Sequence, residues 1–512
     1  MFYGREDLLE QLGALLERPV ASLVTCRGRR RIGKSTLIEE FARRNGLRFV
    51  KLEGLSPREA ASNERQLAAF ARQLSAQTSV PRKPLGNWFD AFARLDDAID
   101  DRVRTVVLLD EISWMGKYDP DFPGELKYAW DNRFRKHGRL IVVVCGSVST
   151  WITKNILRSK GFVGRPSLNL TVGELPLSDC LKFWGRRARR VSPSDVLDVL
   201  SVTGGVPKYL ELVNPRLDAA DNVKALCFTP GGLLADEFSD IFSDVFEGKG
   251  TVKRRILEAL GDGSKSGKEI AEALRLDNNG HLTDELEALE IAGFIACDAG
   301  VNPATGSKTR LVRYRIADNY TRFYLKEIEP REDLIRKGVF RFSSMEQLTG
   351  WHTMLGLQFE CLVLNNMPRL LKRLGLDGVA LVSAAPFQRK AHSRGEGCQI
   401  DLLLQTKRTV WVVEIKRKRE IGCEVIDQVE EKVRRLGVRR DVSVRTALVY
   451  SGNLSPAVAS DGYFDAVVNA DELMFDDTAT VLDNDRDCLD WPVEFRKGKG
   501  RLGFRGAGAT SV

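Results

Sequence analysis

The stretch VASLVTCRGRRRIGKSTLIEEFARR, Val20 to Arg44, sets an apolar strand, a basic glycine loop and a helix-like segment in immediate succession. Within it, Gly28 to Ser35 fits G-x-x-x-x-G-K-[ST], in the strand-before, helix-after setting that this pattern requires. Glycines let backbone N–H groups curl around phosphates, Lys34 reaches the β and γ oxygens, and Ser35 offers a hydroxyl to Mg²⁺. The expected phosphate-binding set is Gly28, Arg29, Arg30, Arg31, Ile32, Gly33, Lys34, Ser35 and Thr36. An irregular glycine loop is the bland alternative, and the flanking strand and helix argue against it.

Outward from this loop, residues 19–245 alternate between strand and helix patterns, as in a parallel α/β sheet. The strand candidates are 20–26, 47–52, 104–110 and 139–146, with a helical stretch over 56–77. Such a loop needs an acidic partner at the end of another buried strand. TVVLLDE supplies it, with Asp110 to hold Mg²⁺ and Glu111 to orient or deprotonate an attacking water. Ser147, at the end of RLIVVVCGS, either senses the terminal phosphate or simply caps its strand.

At 512 residues the chain is too long for one core, and about three domains are expected. Its 43% hydrophobic and 29% charged content is ordinary for a globular protein. No apolar run approaches the ~18–20 residues of a membrane helix, so no membrane is expected and the expected location is the cytoplasm. Nine cysteines without any C-x-x-C and four scattered histidines argue against a disulfide framework or a zinc ribbon. A net charge of +8, from 78 basic and 70 acidic residues, permits nucleic-acid contact without indicating it.

Phe2–Glu6 (FYGRE), GRRRIGKS, VVLLDE, VVVCGS, Gly161–Arg165 (GFVGR) and Thr203–Leu210 (TGGVPKYL) occur in this order. Together they resemble the archaeal-type ATPases of the AAA+/STAND group over about the first 245 residues. The resemblance implies ATP and Mg²⁺ as cofactors and places Arg5 and Pro207 near the base and ribose. It leaves Arg165 open between a role at the γ-phosphate or a subunit contact and a structural ion pair.

Residues 250–317 read as three short helices and a hairpin, the order of a winged helix. From Asp277 to Ile291 there are five acidic residues and no Lys or Arg, which opposes insertion of that helix into a phosphate-lined groove. The hairpin is basic instead, with Lys308, Arg310, Arg313 and Arg315. Contact with DNA through the wing therefore stands beside a packing role that relays nucleotide state. A polar connection over 326–338 leads to a second α/β region at about 350–475, and the basic, Gly-rich end reads as a disordered tail.

In that second region VWVVEIKRKRE, Val410 to Glu420, holds one of four Glu-x-Lys sequences, and the one preceded by four apolar residues. On a strand, Glu414 and Lys416 share a face. A short hairpin connection from QIDLLLQ brings Asp401 to the neighbourhood of Glu414, and a helix carries Glu360 among apolar residues. This series resembles the PD-(D/E)xK nuclease superfamily, whose domains are often fused to the ATPases named above. It implies metal ligands at Glu360, Asp401 and Glu414, catalysis by Asp401, Glu414 and Lys416, and a further role for Gln428 on the following helix.

The expected architecture is α/β. A P-loop NTPase parallel sheet (1–245) precedes a winged helix (246–330), a PD-(D/E)xK-like α/β domain (340–476) and a basic tail (477–512). The expected function is ATP binding and hydrolysis, with Glu111 catalytic and Ser35 and Asp110 at the metal, coupled to a Mg²⁺-dependent endonuclease-like domain with a defence or mobile-element role by analogy. The rival is a STAND-type switch that binds DNA or a protein without cutting. The expected partner is nucleic acid, DNA first, with a homo-oligomer or a protein partner left open.

Overall fold

A computed structural model describes residues 2–56, 62–147, 149–246, 250–303, 306–391 and 396–475. The expected tail at 477–512 and the side chains of Lys308 and Arg310 lie outside the described residues. Among the described residues three sheets are formed. The first contains β1 (Ser22–Arg27), β2 (Arg48–Glu53), β3 (Thr105–Asp110), β4 (Leu140–Cys145) and β5 (Pro166–Thr171). They are all parallel, in the order β2-β3-β4-β1-β5. Every residue of β3 and β4 is buried, as expected of parallel strands covered on both faces. The apolar runs therefore located four strands within a residue or two. They missed β5, an edge strand with a single buried residue, Leu170.

The middle region contains helices Thr251–Leu260, Gly267–Leu274 and Gly280–Ile291, then the antiparallel pair β7 (Ile295–Val301) and β8 (Lys308–Ile316). A two-residue strand, β6 (Lys265–Ser266), pairs with β8. The second helix starts at a reciprocal cap: Ser266 accepts from the Glu269 amide while Glu269 accepts from the Ser266 amide. The stretch expected as a polar connection is helical over Tyr324–Ile328, Glu329–Arg331 and Glu332–Arg336. It winds inward because Glu327, buried, is matched by Arg331 one turn later at 3.0 Å.

The third sheet has the order β13-β12-β11-β10-β9, built from β9 (Ser383–Arg389), β10 (Cys398–Gln405), β11 (Thr409–Ile421), β12 (Ser443–Leu454) and β13 (Ala466–Asn469). The first two pairings, β9 with β10 and β10 with β11, are antiparallel; β11, β12 and β13 run parallel. Helix Trp351–Asn365 precedes the sheet and helix Glu424–Leu436 crosses between β11 and β12.

Hydrophobic cores ignore the expected domain boundaries. One runs from Leu37 and Val143 through Ile256 and Leu286 to Tyr320 and Trp351. Another joins Val196, Leu197 and Leu200, of helix Pro193–Thr203, to Phe359, Leu402, Val413 and Val449. At ~1.5–3 kcal/mol per buried side chain, this shared apolar layer holds the seam more strongly than any one ion pair across it. Residues 1–474 accordingly form one compact unit.

Candidate functional site

The glycine loop follows β1 and turns into helix Lys34–Arg44. Gly28, at φ 150°, passes so close to the sheet that a Cβ would sit 2.4 Å from the Val172 carbonyl oxygen. Gly33, at φ 88°, supplies the left-handed turn into the helix. Lys34 folds back and its ammonium donates to the Gly28 and Arg29 carbonyls at 2.9 and 3.0 Å. Ser35 Oγ donates to Asp110 Oδ2 at 2.6 Å, bringing together the two residues expected at the metal.

Glu111, in a left-handed conformation at φ 46°, is held by Ser147. The Ser147 amide and hydroxyl donate to Glu111 Oε2 at 3.1 and 2.8 Å. β4 lies between the strands that carry the loop and Asp110, so the residue after it is placed to hold the acid after β3. Neither sequence-level alternative for Ser147 anticipated this role.

A cavity of about 330 Å³ opens over the loop. Arg30 to Thr36, Glu111, Arg5 and Pro207 line it, so the two residues drawn from the N-terminal and G-G-x-P motifs reach it together with the loop. Arg5, at φ 67°, donates to the Ile32 and Glu174 carbonyls, each at 3.3 Å. Sequence reasoning missed an aromatic wall of Phe2, Tyr3 and Phe183. Tyr3 and Phe183 meet edge to face at 4.9 Å. It also missed Lys51 of β2, whose ammonium lies 3.5 Å from Asp110 Oδ2. Arg165 is outside the cavity lining and forks onto Asp131 at 2.7 and 2.9 Å.

The side chain of Arg29 turns away from the cavity. It is buried against Asp318, with Tyr209 Oη at 3.3 Å and Glu174 at 3.9 Å. Burial opposes the charge of Arg29, but Asp318 and Tyr209 outweigh it and raise its pKa. Burial, then Asp318, lifts the Glu174 carboxyl to about 7.

In the third sheet the register pairs Leu402 with Val413, which sets Asp401 beside Glu414 one step further along. Asp401 Oδ2 accepts from the Ile415 amide at 2.9 Å. Glu414 is fully buried, with Lys416 Nζ 2.6 Å from Oε1 and Lys432 Nζ 2.5 Å from Oε2. The Lys416 contact is an ion pair without hydrogen-bond alignment, so Glu414 Oε1 has no hydrogen bond. Burial, then the Glu414 charge, raises the Asp401 pKa. Glu360 lines a neighbouring cavity of about 200 Å³ with Arg315 and Arg322. Burial first, then Asp401, pushes its carboxyl up to about 7.

Glu360, Asp401 and Glu414 are the expected ligands of one metal; among the described residues no group of three or more His, Cys, Asp and Glu is placed to hold a metal ion. Ammonium groups hold Glu414 instead. Gln428 is exposed, and the residue of its helix that reaches the carboxylates is Lys432, one turn on and 3.7 Å from Asp401 Oδ1. Period-four spacing on that helix was the available signal.

Part of the middle region's charge is paired within the chain, while Asp277, Asp284 and Glu290 are exposed. Glu285 pairs with Lys253 at 2.5 Å and Glu287 with Arg158 of the first region, while Arg313 and Arg315 of the hairpin pair with Glu269 and Asp298, each at 2.9 Å. From the other side, Arg417, directly after Lys416, donates to Asp198 at 2.7 Å, to Ser201 Oγ at 3.1 Å and to the Ser194 carbonyl at 3.2 Å. No helix among the described residues is long and apolar enough to cross a membrane.

Residues 2–213 match a family described as an ATPase domain predominantly from Archaea. An uncharacterized protein of Methanocaldococcus jannaschii is 23% identical over 363 residues, 70% of this chain and 76% of that protein. Among solved structures, a Walker-type ATPase of Pyrococcus abyssi is 17% identical, covering 63% of this chain and 96% of its own, with a TM-score of 0.47. The ORC2 protein of Aeropyrum pernix, in ADPNP and ADP complexes, is 15% identical over 65% of this chain and 93% of its own, with a TM-score of 0.38. In the glycine loop, the Asp110–Glu111 pair and the family match over residues 2–213, the N-terminal part of this chain is similar to archaeal-type P-loop ATPase domains.

Proposed function

We propose that this chain binds and hydrolyses ATP in the cavity over residues 30–36 and passes the nucleotide state to a C-terminal PD-(D/E)xK-like domain that cuts nucleic acid. The observation that carries the reading is that Lys34, Ser35 and Glu111 line one cavity, with Asp110 behind it bonded to Ser35 and Ser147 holding Glu111. On nucleotide entry Lys34 would exchange the loop carbonyls for phosphate oxygens. Glu111, anchored through one oxygen, keeps the other to orient a water. Ser35 Oγ and Asp110 are hard oxygen donors already in contact, which fits Mg²⁺. Bound there, it supplies charge neutralisation to the phosphates.

The C-terminal site fits a divalent cation through two carboxylates rather than three. Asp401 and Glu414 are adjacent, and Glu414 Oε1 is a buried oxygen without a hydrogen bond. A cation there would polarise a scissile phosphate, and Lys416 is within reach of the same oxygens to steady developing negative charge. The helix–helix–helix–hairpin of residues 251–316 is read as a winged helix in a relay role, since Glu285 and Glu287 of its acidic helix and two hairpin arginines make pairs within the chain.

A second reading has its own observation. Both oxygens of Glu414 are matched by lysine ammonium groups, as in a charge-balanced site that binds without cutting. Incubation of the wild type, Asp401→Ala and Lys416→Ala with plasmid DNA, Mg²⁺ and ATP separates the two. Cleavage by the wild type alone supports the nuclease; equal cleavage by all three removes the site, and none under any nucleotide condition favours the switch. Lys34→Ala should abolish ATP binding, measured by calorimetry, and full binding would refute the loop assignment.

A further inference from the structure

Arg29 belongs to the phosphate loop but gives its side chain to something else. Its guanidinium is buried on Asp318, which is itself 1% exposed and comes 289 residues later. Asp318 also caps helix Asn319–Phe323, accepting from the Tyr320 and Thr321 amides at 3.2 and 3.1 Å. The carboxylate thus joins the loop to the start of a helix.

That helix is cross-bonded to the one bearing Glu360. Asn319 Nδ2 donates to the Gln358 carbonyl at 3.2 Å, and Gln358 Nε2 donates back to the Asn319 carbonyl at 2.7 Å. Arg322 donates to Gln358 Oε1 at 2.5 Å. Gln358 is fully buried and lies half a turn before Glu360, whose charge Arg315 and Arg322 partly offset. The same Gln358 donates to the Ser201 carbonyl at 2.8 Å, next to the hydroxyl that Arg417 binds. Side-chain contacts, joined along the chain at Asp318–Asn319 and within Ser201, run from the loop to the third sheet.

The network is incompletely satisfied. Arg29 Nε, Asn319 Oδ1 and Arg322 Nε are buried without a hydrogen bond among the described residues. Unmet buried polar atoms are costly, so a rearrangement that gives them partners recovers part of that cost. An element with two arrangements is what transmission between sites requires.

We infer that Arg29 and Asp318 are positioning residues of the phosphate loop, and that loss or rearrangement of their contact on nucleotide binding is what reaches helix Trp351–Asn365 and Glu360. Neither touches the nucleotide; they act through the loop backbone and the cap. The inference rests on the reading of the loop as an ATP site and is independent of whether the C-terminal site cuts.

Hydrogen–deuterium exchange of the full chain, with and without a non-hydrolysable ATP analogue, tests it. In the wild type the analogue should change exchange in residues 319–323 and 351–365, outside the cavity lining, as well as in the loop. Asp318→Asn keeps a capping oxygen and removes the charge; Arg29→Lys leaves Asp318 and its cap intact and removes the fork. Both variants should lose the remote change, a coupling loss of at least ~5-fold, and Asp318→Asn should still bind the analogue within about threefold of wild type. Wild-type binding without any remote change would overturn the inference and leave the ATP site standing, as would remote changes that persist in both variants. Failure of the wild type to bind the analogue would instead remove the ATP reading on which the inference rests.

Discussion

Lys432 Nζ stands 2.5 Å from Glu414 Oε2, while Lys416 Nζ stands 2.6 Å from Oε1 of the same carboxylate. Burial works against the charge of Lys432, but Asp401 and Glu414 outweigh it and raise its pKa. Lys432 therefore fills with positive charge the ground that a divalent cation would share. Lys432→Met keeps the stem and removes the charge, leaving Asp401 and Glu414 with one ammonium. The variant should lose ~1–3 kcal/mol in urea melts with chelator present. It should also recover more stability on Mg²⁺ addition than the wild type does. An identical Mg²⁺ response in the two proteins would show that Lys432 and the cation do not compete.

Ser147 holds Glu111 through both its amide and its hydroxyl. Ser147→Ala removes the hydroxyl and leaves the amide. The expected effect on ATP hydrolysis is a kcat reduced about tenfold with KM within about twofold, since only the orientation of the acid suffers. Glu111→Gln, which removes the acid, should reduce kcat by at least ~100-fold. A large rise in KM for Ser147→Ala would place Ser147 at the nucleotide instead.

How much of this was legible in the sequence depends on how local each signal is. The loop, β3 and β4 were readable because burial on both faces demands continuous apolar runs, and the loop residues act within one turn of each other. β5 escaped because an edge strand has one buried position, Leu170, and so no run to detect. Asp401 and Glu414 were adjacent as expected because a three-residue hairpin connection fixes the register. The contacts Arg29–Asp318 and Arg417–Asp198 span 289 and 219 residues, and no pattern along the chain encodes them. For the same reason the sequence could not show that the cores cross its domain boundaries.

Arg417 carries the polar contact between the Glu-Ile-Lys strand and helix Pro193–Thr203. It is almost wholly buried, and burial lowers its pKa against the pull of Asp198. Arg417→Ala leaves the Asp198 carboxylate partly buried and without this partner. Stability should fall by ~2–4 kcal/mol, read from the denaturant midpoint at unchanged slope. Arg417→Ala/Asp198→Ala should recover part of that loss, because no charge is then left behind. A double variant as unstable as the sum of the singles would mean that the pair makes no specific contribution at this seam.

Glu360 sets a pH dependence whose sign is fixed by its environment. Burial, then Asp401, places its carboxyl at about 7 in the folded protein, above its ordinary value of 4.5. Between those values the folded state keeps a proton that the unfolded chain has released, so stability falls as pH rises through this window. The contribution is fully present below the unfolded value and is lost once pH passes the folded one. Glu174 and Glu327, also at about 7 with burial as the first cause, add to the same slope. Glu360→Gln removes only its own share. In chelator, the variant should match the wild type near pH 4 and exceed it at pH 8 by ~1–2 kcal/mol, as measured by urea melts across that range. A constant offset between the two at every pH would show that Glu360 titrates alike in the folded and unfolded chain, its neighbours, Arg315 and Arg322 first, compensating its burial.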